Sequence, residues 1–303
     1  MSDGLRFVVC GPIHHSGYSN GILALARLCR AVREAGRRAV VCVTDCRPNE
    51  ERLLTVKDPG WGLAVEAARR EDVELMEPGT ALPAEAMVVY PETMGGNVLE
   101  ARRVIRWYGN KPEALKSCET GAGEFILAQS RVVYPGAQHV CFFAWRDPAF
   151  HDGGTAPAIS RPLDVTYNGK GNLYGETRRV AGTLRITRSW PGTKEELAMV
   201  LRTCRFFFTA DAWSAINAEA LCCGAIPVFI HPGPWTDAEV DGSEVGRLPR
   251  LVPGAELTEA GFAAFETERR AFVARLDAVT AGWHDSVRAM LVAADAHFAE
   301  MGA

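Results

Sequence analysis

Residues 206–230 read FFFTADAWSAINAEALCCGAIPVFI, and this stretch decides the fold. It parses as strand, loop, helix, tight turn and strand. Asp211 lies in the loop, and Glu219 lies eight positions later inside the helix. Gly224 closes the helix and Pro227 opens the next apolar run. In an open α/β sheet this layout brings Glu219 close to the carboxyl end of a parallel strand, where such sheets bind ligands. It aims the helix amino terminus at the same crevice, which suits a phosphate. A carboxylate beside a phosphate site suits a ribose, because it accepts from two adjacent hydroxyls.

Working outward, the same alternation recurs along the chain. Residues 5–10 read as a buried strand, 22–35 as a helix ended by Gly36, and 39–44 as a second strand, a βαβ unit. A strand is expected over 86–90, followed by the loop PETMGGN and a helix over 98–107 with Arg102, Arg103 and Arg106 as its solvated face. Short strands are expected over 125–128 and 139–144. The stretch 147–162, DPAFHDGGTAPAISRP, has no periodicity and reads as an interdomain linker. Beyond it come strands over 165–167, 183–187, 205–209 and 226–230, helices over 194–202 and 214–223, and a helical tail over 259–301 with a break near Gly282. The expected fold class is α/β: two facing Rossmann-like domains, a site in the cleft between them, and a helical carboxyl terminus. The boundaries are residues 1–150, a linker at 151–163, a second domain at 164–285, and a terminal helix at 286–303 that packs back on the first domain in one arrangement.

Composition narrows the function. Of 303 residues, 48% are hydrophobic and 23% charged, as in a globular protein, and the formal charge of −4 offers no basic footprint for nucleic acid. The first residues carry neither a basic n-region nor a long apolar h-region, and no run is long enough to span a membrane. A cytoplasmic protein is expected, with peripheral contact at the inner membrane face left open. Nine scattered cysteines complete no zinc pattern and read as buried small hydrophobes. No Asp-x-Asp motif is present, so neither a metal nor a cofactor is expected. The oligomeric state is not legible.

Candidate chemistry sits in the loops. A charge at Glu219, flanked by Ala218, Ala220, Leu221 and Cys222, is costly unless paired or liganded. Asp211 reads equally as a site acid or as a turn residue. Ser214 reads as the helix cap, with Asn217 in the capping-box position, and as a phosphate ligand through the same hydroxyl. Lys170 stands between Gly169 and Gly171, whose small size lets backbone approach a ligand, and the alternative is an exposed hairpin turn. Arg188, after the next strand, is a second cation suited to phosphate. The loop GPIHHSGYSNG, with Gly11, Gly17, Ser19 and Asn20, is the amino-terminal counterpart and opens a helix. His14 or His15 within it, or Glu92 at the end of another strand, is the candidate base. Asn97 and Arg106 are weaker candidates.

With Lys170, Arg188, Asp211 and Glu219 in view, the chain resembles the GT-B glycosyltransferases, and within them the group 1, retaining, Glu–x7–Glu enzymes. Asp211 and Glu219 have that spacing, with Asp in place of the first Glu, and Lys170 and Arg188 match the basic positions in order. Residues 186–228, and VVYPETMGGNVLEARRVIRW in the first half, resemble bacterial glycosyltransferase-like proteins of polysaccharide clusters. The resemblance implies a nucleotide-diphosphate sugar as donor. It implies a sugar, lipid-linked or small-molecule hydroxyl as acceptor, with Glu219 on the ribose and Lys170 and Arg188 on the diphosphate. A nucleotide-sugar epimerase or a nucleotide-binding scaffold of the same fold is the alternative.

Overall fold

The computed structural model describes residues 6–13, 19–47, 50–112, 120–143, 146–154, 156–175, 179–254 and 258–302. The chain divides into two compact units, Met1–Phe143 with Gly282–Ala303, and Ala144–Ala281.

The first unit is built on a seven-stranded sheet. Its strands are β1 (Phe7–Gly11), β2 (Ala39–Arg47), β3 (Glu50–Leu53), β4 (Met87–Pro91), β5 (Arg103–Tyr108), β6 (Phe125–Ala128) and β7 (His139–Val140), in the order β3-β2-β1-β4-β5-β6-β7. All pairs are parallel except the β2–β3 hairpin at the edge. β1 and β4 are fully buried, as strands covered on both faces must be. Helices α1 (Asn20–Glu34) and α2 (Gly60–Glu71) cover one face. The last helix of the chain, α7 (Trp283–Met301), also belongs here: Trp283, Val287, Met290, Leu291, Ala294 and Phe298 enter the same core. Trp283 meets Phe143 edge-on with centroids 4.3 Å apart, and His297 lies 3.1 Å from the Gly123 carbonyl.

The second unit carries a four-stranded, all-parallel sheet in the order β11-β10-β8-β9, from β8 (Leu163–Tyr167), β9 (Leu184–Ile186), β10 (Cys204–Thr209) and β11 (Ile226–Phe229). Helices α3 (Lys194–Thr203), α4 (Ala215–Cys222), α5 (Asp237–Asp241) and α6 (Glu259–Ala281) accompany it. A full capping box at Thr193 and Glu196 starts α3, and Gly224 at φ +79° follows α4.

One expectation is corrected here. Residues 98–107 are not a helix: Arg103–Tyr108 is a central strand. The β-branched pair Val104 and Ile105 and the aromatic pair Trp107 and Tyr108 suit a strand, and Arg106 is 1% exposed rather than solvated. Its guanidinium makes two bonds to the Glu124 carboxylate (2.6 and 3.0 Å), donates to the Met94 and Gly96 carbonyls, and lies over the Tyr90 ring. The stretch 151–163, expected as a linker, belongs to the second unit. Buried Arg161 ties it down by donating to the carbonyls of Ala156, Cys204 and Cys223, and Arg269 pairs with Asp152.

Candidate active site

Each sheet has one position at which the order of strands reverses. In the second unit the chain proceeds from β8 outward to β9, then returns to β10 on the other side of β8. In open α/β sheets such a reversal is where ligands bind, outside the carboxyl ends of the strands on either side of it. Tyr167 and Thr209, the last residues of these strands, are in register. The loops beyond them carry Lys170 and Asp211.

The two loops are bonded to each other. Asp211 is 1% exposed, and its Oδ2 accepts from the Lys170 backbone N–H at 2.9 Å. The Lys170 ammonium lies 3.4 Å from Asp211 Oδ1 and donates to the Trp213 carbonyl at 2.8 Å. Gly169 makes this approach possible. Its φ is +52°, and a Cβ there would stand 2.5 Å from Asp211 Oδ2 and 2.6 Å from the Tyr167 ring. Gly171 closes the turn through its N–H to the Asn168 carbonyl. The segment Gly169–Tyr174 is thus a 3₁₀ helix, not a hairpin. Lys170 remains slightly exposed, with 16% of its side chain reaching solvent.

α4 starts at the same place. Ser214 has extended backbone angles and occupies the cap position, yet its side chain makes no cap bond, so the expected capping box with Asn217 is not formed. Asn217 turns backward instead, and its Nδ2 donates to the carbonyls of Asp211 and Ala212, each at 2.9 Å. That holds the Asp211 loop against the helix and leaves the Ser214 hydroxyl uninvolved in capping. Glu219, one turn further on, is 8% exposed. Helical side chains lean toward the amino terminus, so its carboxylate is carried back toward the loop end of α4. Its charge, with that of Asp211, reaches the Tyr167 phenol. That phenol is held above its ordinary pKa, first by burial and then by Asp211, while a hydrogen bond from Arg188 opposes the rise. Exposed Arg188 is near enough for its positive charge to act on that phenol. Asn168 Oδ1 and Asn217 Oδ1 are buried without a hydrogen-bond partner, and buried acceptors of this kind are ordinarily met by a water or a ligand donor. Lys170, Arg188, Asp211, Ser214 and Glu219, with Gly169 and Gly171, thus gather at one sheet edge.

Four participants were missed in the sequence: Tyr167, Asn217 in its actual role, and the aromatic pair Trp213 and Trp235. The two indoles stack with centroids 4.6 Å apart and planes at 18°. Aromatic residues beside two loop motifs were the available signal.

The first unit has its own reversal point between β1 and β4. Gly11 ends β1, and a Cβ there would meet Leu25 Cδ1 at 2.6 Å, so Gly11 serves helix packing. Glu92 follows β4 and is 4% exposed. It accepts from the Gly109 N–H and from Asn110 Nδ2, both at 3.2 Å. Ser19 caps α1 by position without a side-chain cap bond, and Asn20 is its first residue. Asn97 braces its own loop through Tyr90 and Ala101. His14, His15 and Gly17 lie outside the described residues. Among the described residues no group of three or more His, Cys, Asp or Glu side chains gathers to hold a metal, and no helix is long and apolar enough to cross a membrane.

No protein-family model and no curated protein matches the chain. Solved structures of glycosyltransferases do resemble it along nearly its whole length. The spinosyn rhamnosyltransferase SpnG, complexed with spinosyn aglycone, is 12% identical over 94% of this chain and 96% of that one, with a TM-score of 0.41. SnogD from Streptomyces nogalater is 15% identical over 96% and 100%, with a TM-score of 0.43. VinC in complex with DTDP is 11% identical over 96% and 99%, with a TM-score of 0.41. At these values the likeness transfers no residue roles to this chain.

Proposed function

We propose that the protein is a glycosyltransferase that moves a sugar from a nucleoside diphosphate to a hydroxyl acceptor. The observation that carries this reading is the convergence of Lys170, Ser214 and Glu219 at the reversal point of the second sheet. A cation and the amino terminus of α4 suit a diphosphate, and a buried carboxylate beside them suits the ribose hydroxyls. Asp211 acts in this account by holding Lys170 in place. Arg188, whose charge reaches Tyr167, is the second cation.

In the reaction the bond from the sugar anomeric carbon to the diphosphate oxygen breaks and a bond to the acceptor oxygen forms. The electron pair leaves with the diphosphate, whose growing charge Lys170, Arg188 and the helix terminus match. The acceptor proton goes to the departing diphosphate if configuration is retained, as the resemblance to the Glu–x7–Glu enzymes implies, or to a protein base if it inverts. With two protein cations on the diphosphate, transfer is expected without an added divalent ion.

The test is to incubate the protein with nucleotide sugars in EDTA, with and without sugar, lipid-linked and small-molecule alcohols, and to analyse products. Acceptor-dependent release of nucleoside diphosphate with a new glycoside supports the reading. Isomerised donor without acceptor identifies an epimerase. Binding without turnover identifies a scaffold.

A further inference from the structure

We infer that Trp213 forms the subsite for the sugar ring of the donor, an inference that rests on the proposed function of the same site. Trp213 lies between Asp211 and the first residue of α4. Its backbone is fixed on both sides: Asn217 Nδ2 holds the Ala212 carbonyl and the Lys170 ammonium holds its own. Its indole is fixed by Trp235, which is 2% exposed and stacks on it nearly parallel. Trp235 comes from the loop after β11, the strand beside β10. Three adjacent strands thus contribute Lys170, Trp213 and Trp235 to one end of the sheet. Trp213 itself is only half-buried, so part of it reaches solvent, while its backbone carbonyl meets the Lys170 ammonium.

The order of groups along α4 selects the ligand part. A nucleotide sugar is linear: base, ribose, diphosphate, sugar. Glu219 lies five residues beyond Ser214, roughly 7 Å along the helix axis. With the ribose on Glu219 and the diphosphate at the helix terminus, the sugar extends past that terminus, to the side on which Trp213 stands. A pyranose presents axial C–H groups that are slightly positive, and these suit the negative face of an indole. The base lies at the opposite end.

The test is calorimetric binding of UDP, dTDP, GDP and ADP, each compared with its glucose or mannose conjugate, to wild type, Trp213→Phe and Trp213→Ala. Trp213→Phe keeps a ring on Trp235 and guards against a folding defect in the alanine variant. For the nucleotide that wild type binds, both variants are expected to hold the diphosphate within twofold of wild type. The nucleotide sugar should bind about tenfold more weakly in Trp213→Ala and less severely so in Trp213→Phe. Equal loss of diphosphate and conjugate in Trp213→Phe would place the indole on the base or the scaffold and overturn the inference. So would undiminished binding of the conjugate in both variants. If wild type binds none of the diphosphates, the functional reading fails first and the subsite falls with it.

Discussion

At the scale of single residues, the site depends on a glycine. Gly169 adopts a left-handed φ and leaves no room for a Cβ beside Asp211 and Tyr167. Gly169→Ala is therefore expected to cost about 1–3 kcal/mol through backbone strain, and to loosen the Lys170–Asp211 contact. Urea titration measures the first effect, and weakened nucleotide affinity reports the second. A variant as stable as wild type would show that the turn is not constrained as described. His139, on β7, gives a pH signature. Its Nε2 is buried without a hydrogen-bond partner, and its pKa is lowered mainly by burial, with Arg131 adding to the effect and a Ser286 bond opposing it. The folded state thus favours neutral His139. Above about pH 6.5 both states are neutral and its contribution is intact, whereas below that the unfolded chain takes up the proton first and stability falls. The Tm of wild type should drop further between pH 7.5 and 5.5 than that of His139→Gln, and parallel curves would refute the assignment.

At the scale of elements, the sequence was legible where the pattern of apolar residues is local. The strand, loop and helix around Asp211 and Glu219 were read from their order alone, because a parallel sheet requires its chemistry at strand ends. The segment 98–107 was misread because Arg102, Arg103 and Arg106 fall at helical spacing, and nothing nearby names the partner of Arg106. That partner, Glu124, comes from the loop before β6. The role of Asn217 was hidden for a similar reason: its side chain reaches carbonyls in the preceding loop rather than a capping hydroxyl. The Arg106–Glu124 pair yields a prediction at this scale. Arg106→Leu leaves a largely buried carboxylate without its cation and is expected to cost about 3–5 kcal/mol. Adding Glu124→Leu should recover part of the loss in a double-mutant cycle by urea denaturation. A single-variant loss under 1 kcal/mol would mean that water reaches Glu124.

At the scale of the whole molecule, two units each carry a buried carboxylate at a reversal point of strand order, Glu92 at one and Asp211, bonded to Lys170, at the other. The first unit is discontinuous in sequence, since α7 completes its core. The sequence offered this only as one arrangement of the terminal helix, because the apolar face of α7 does not say which sheet it covers. Deleting residues 283–303 should expose the core around Phe125, Phe143 and α1, and the shortened chain should aggregate or bind a hydrophobic dye. A soluble, cooperatively folded product would contradict that assignment. The central claim is that the second unit holds a nucleoside diphosphate through Glu219 and Lys170. The most direct measurement is a thermal-shift panel with UDP, GDP, ADP, CMP, dTDP and NAD on wild type and Glu219→Ala. The account predicts a rise with one nucleoside diphosphate, worth about 2.7 kcal/mol at a hundredfold excess over its dissociation constant, and its loss in the variant. A panel flat in wild type, or a shift that survives in Glu219→Ala, would contradict it.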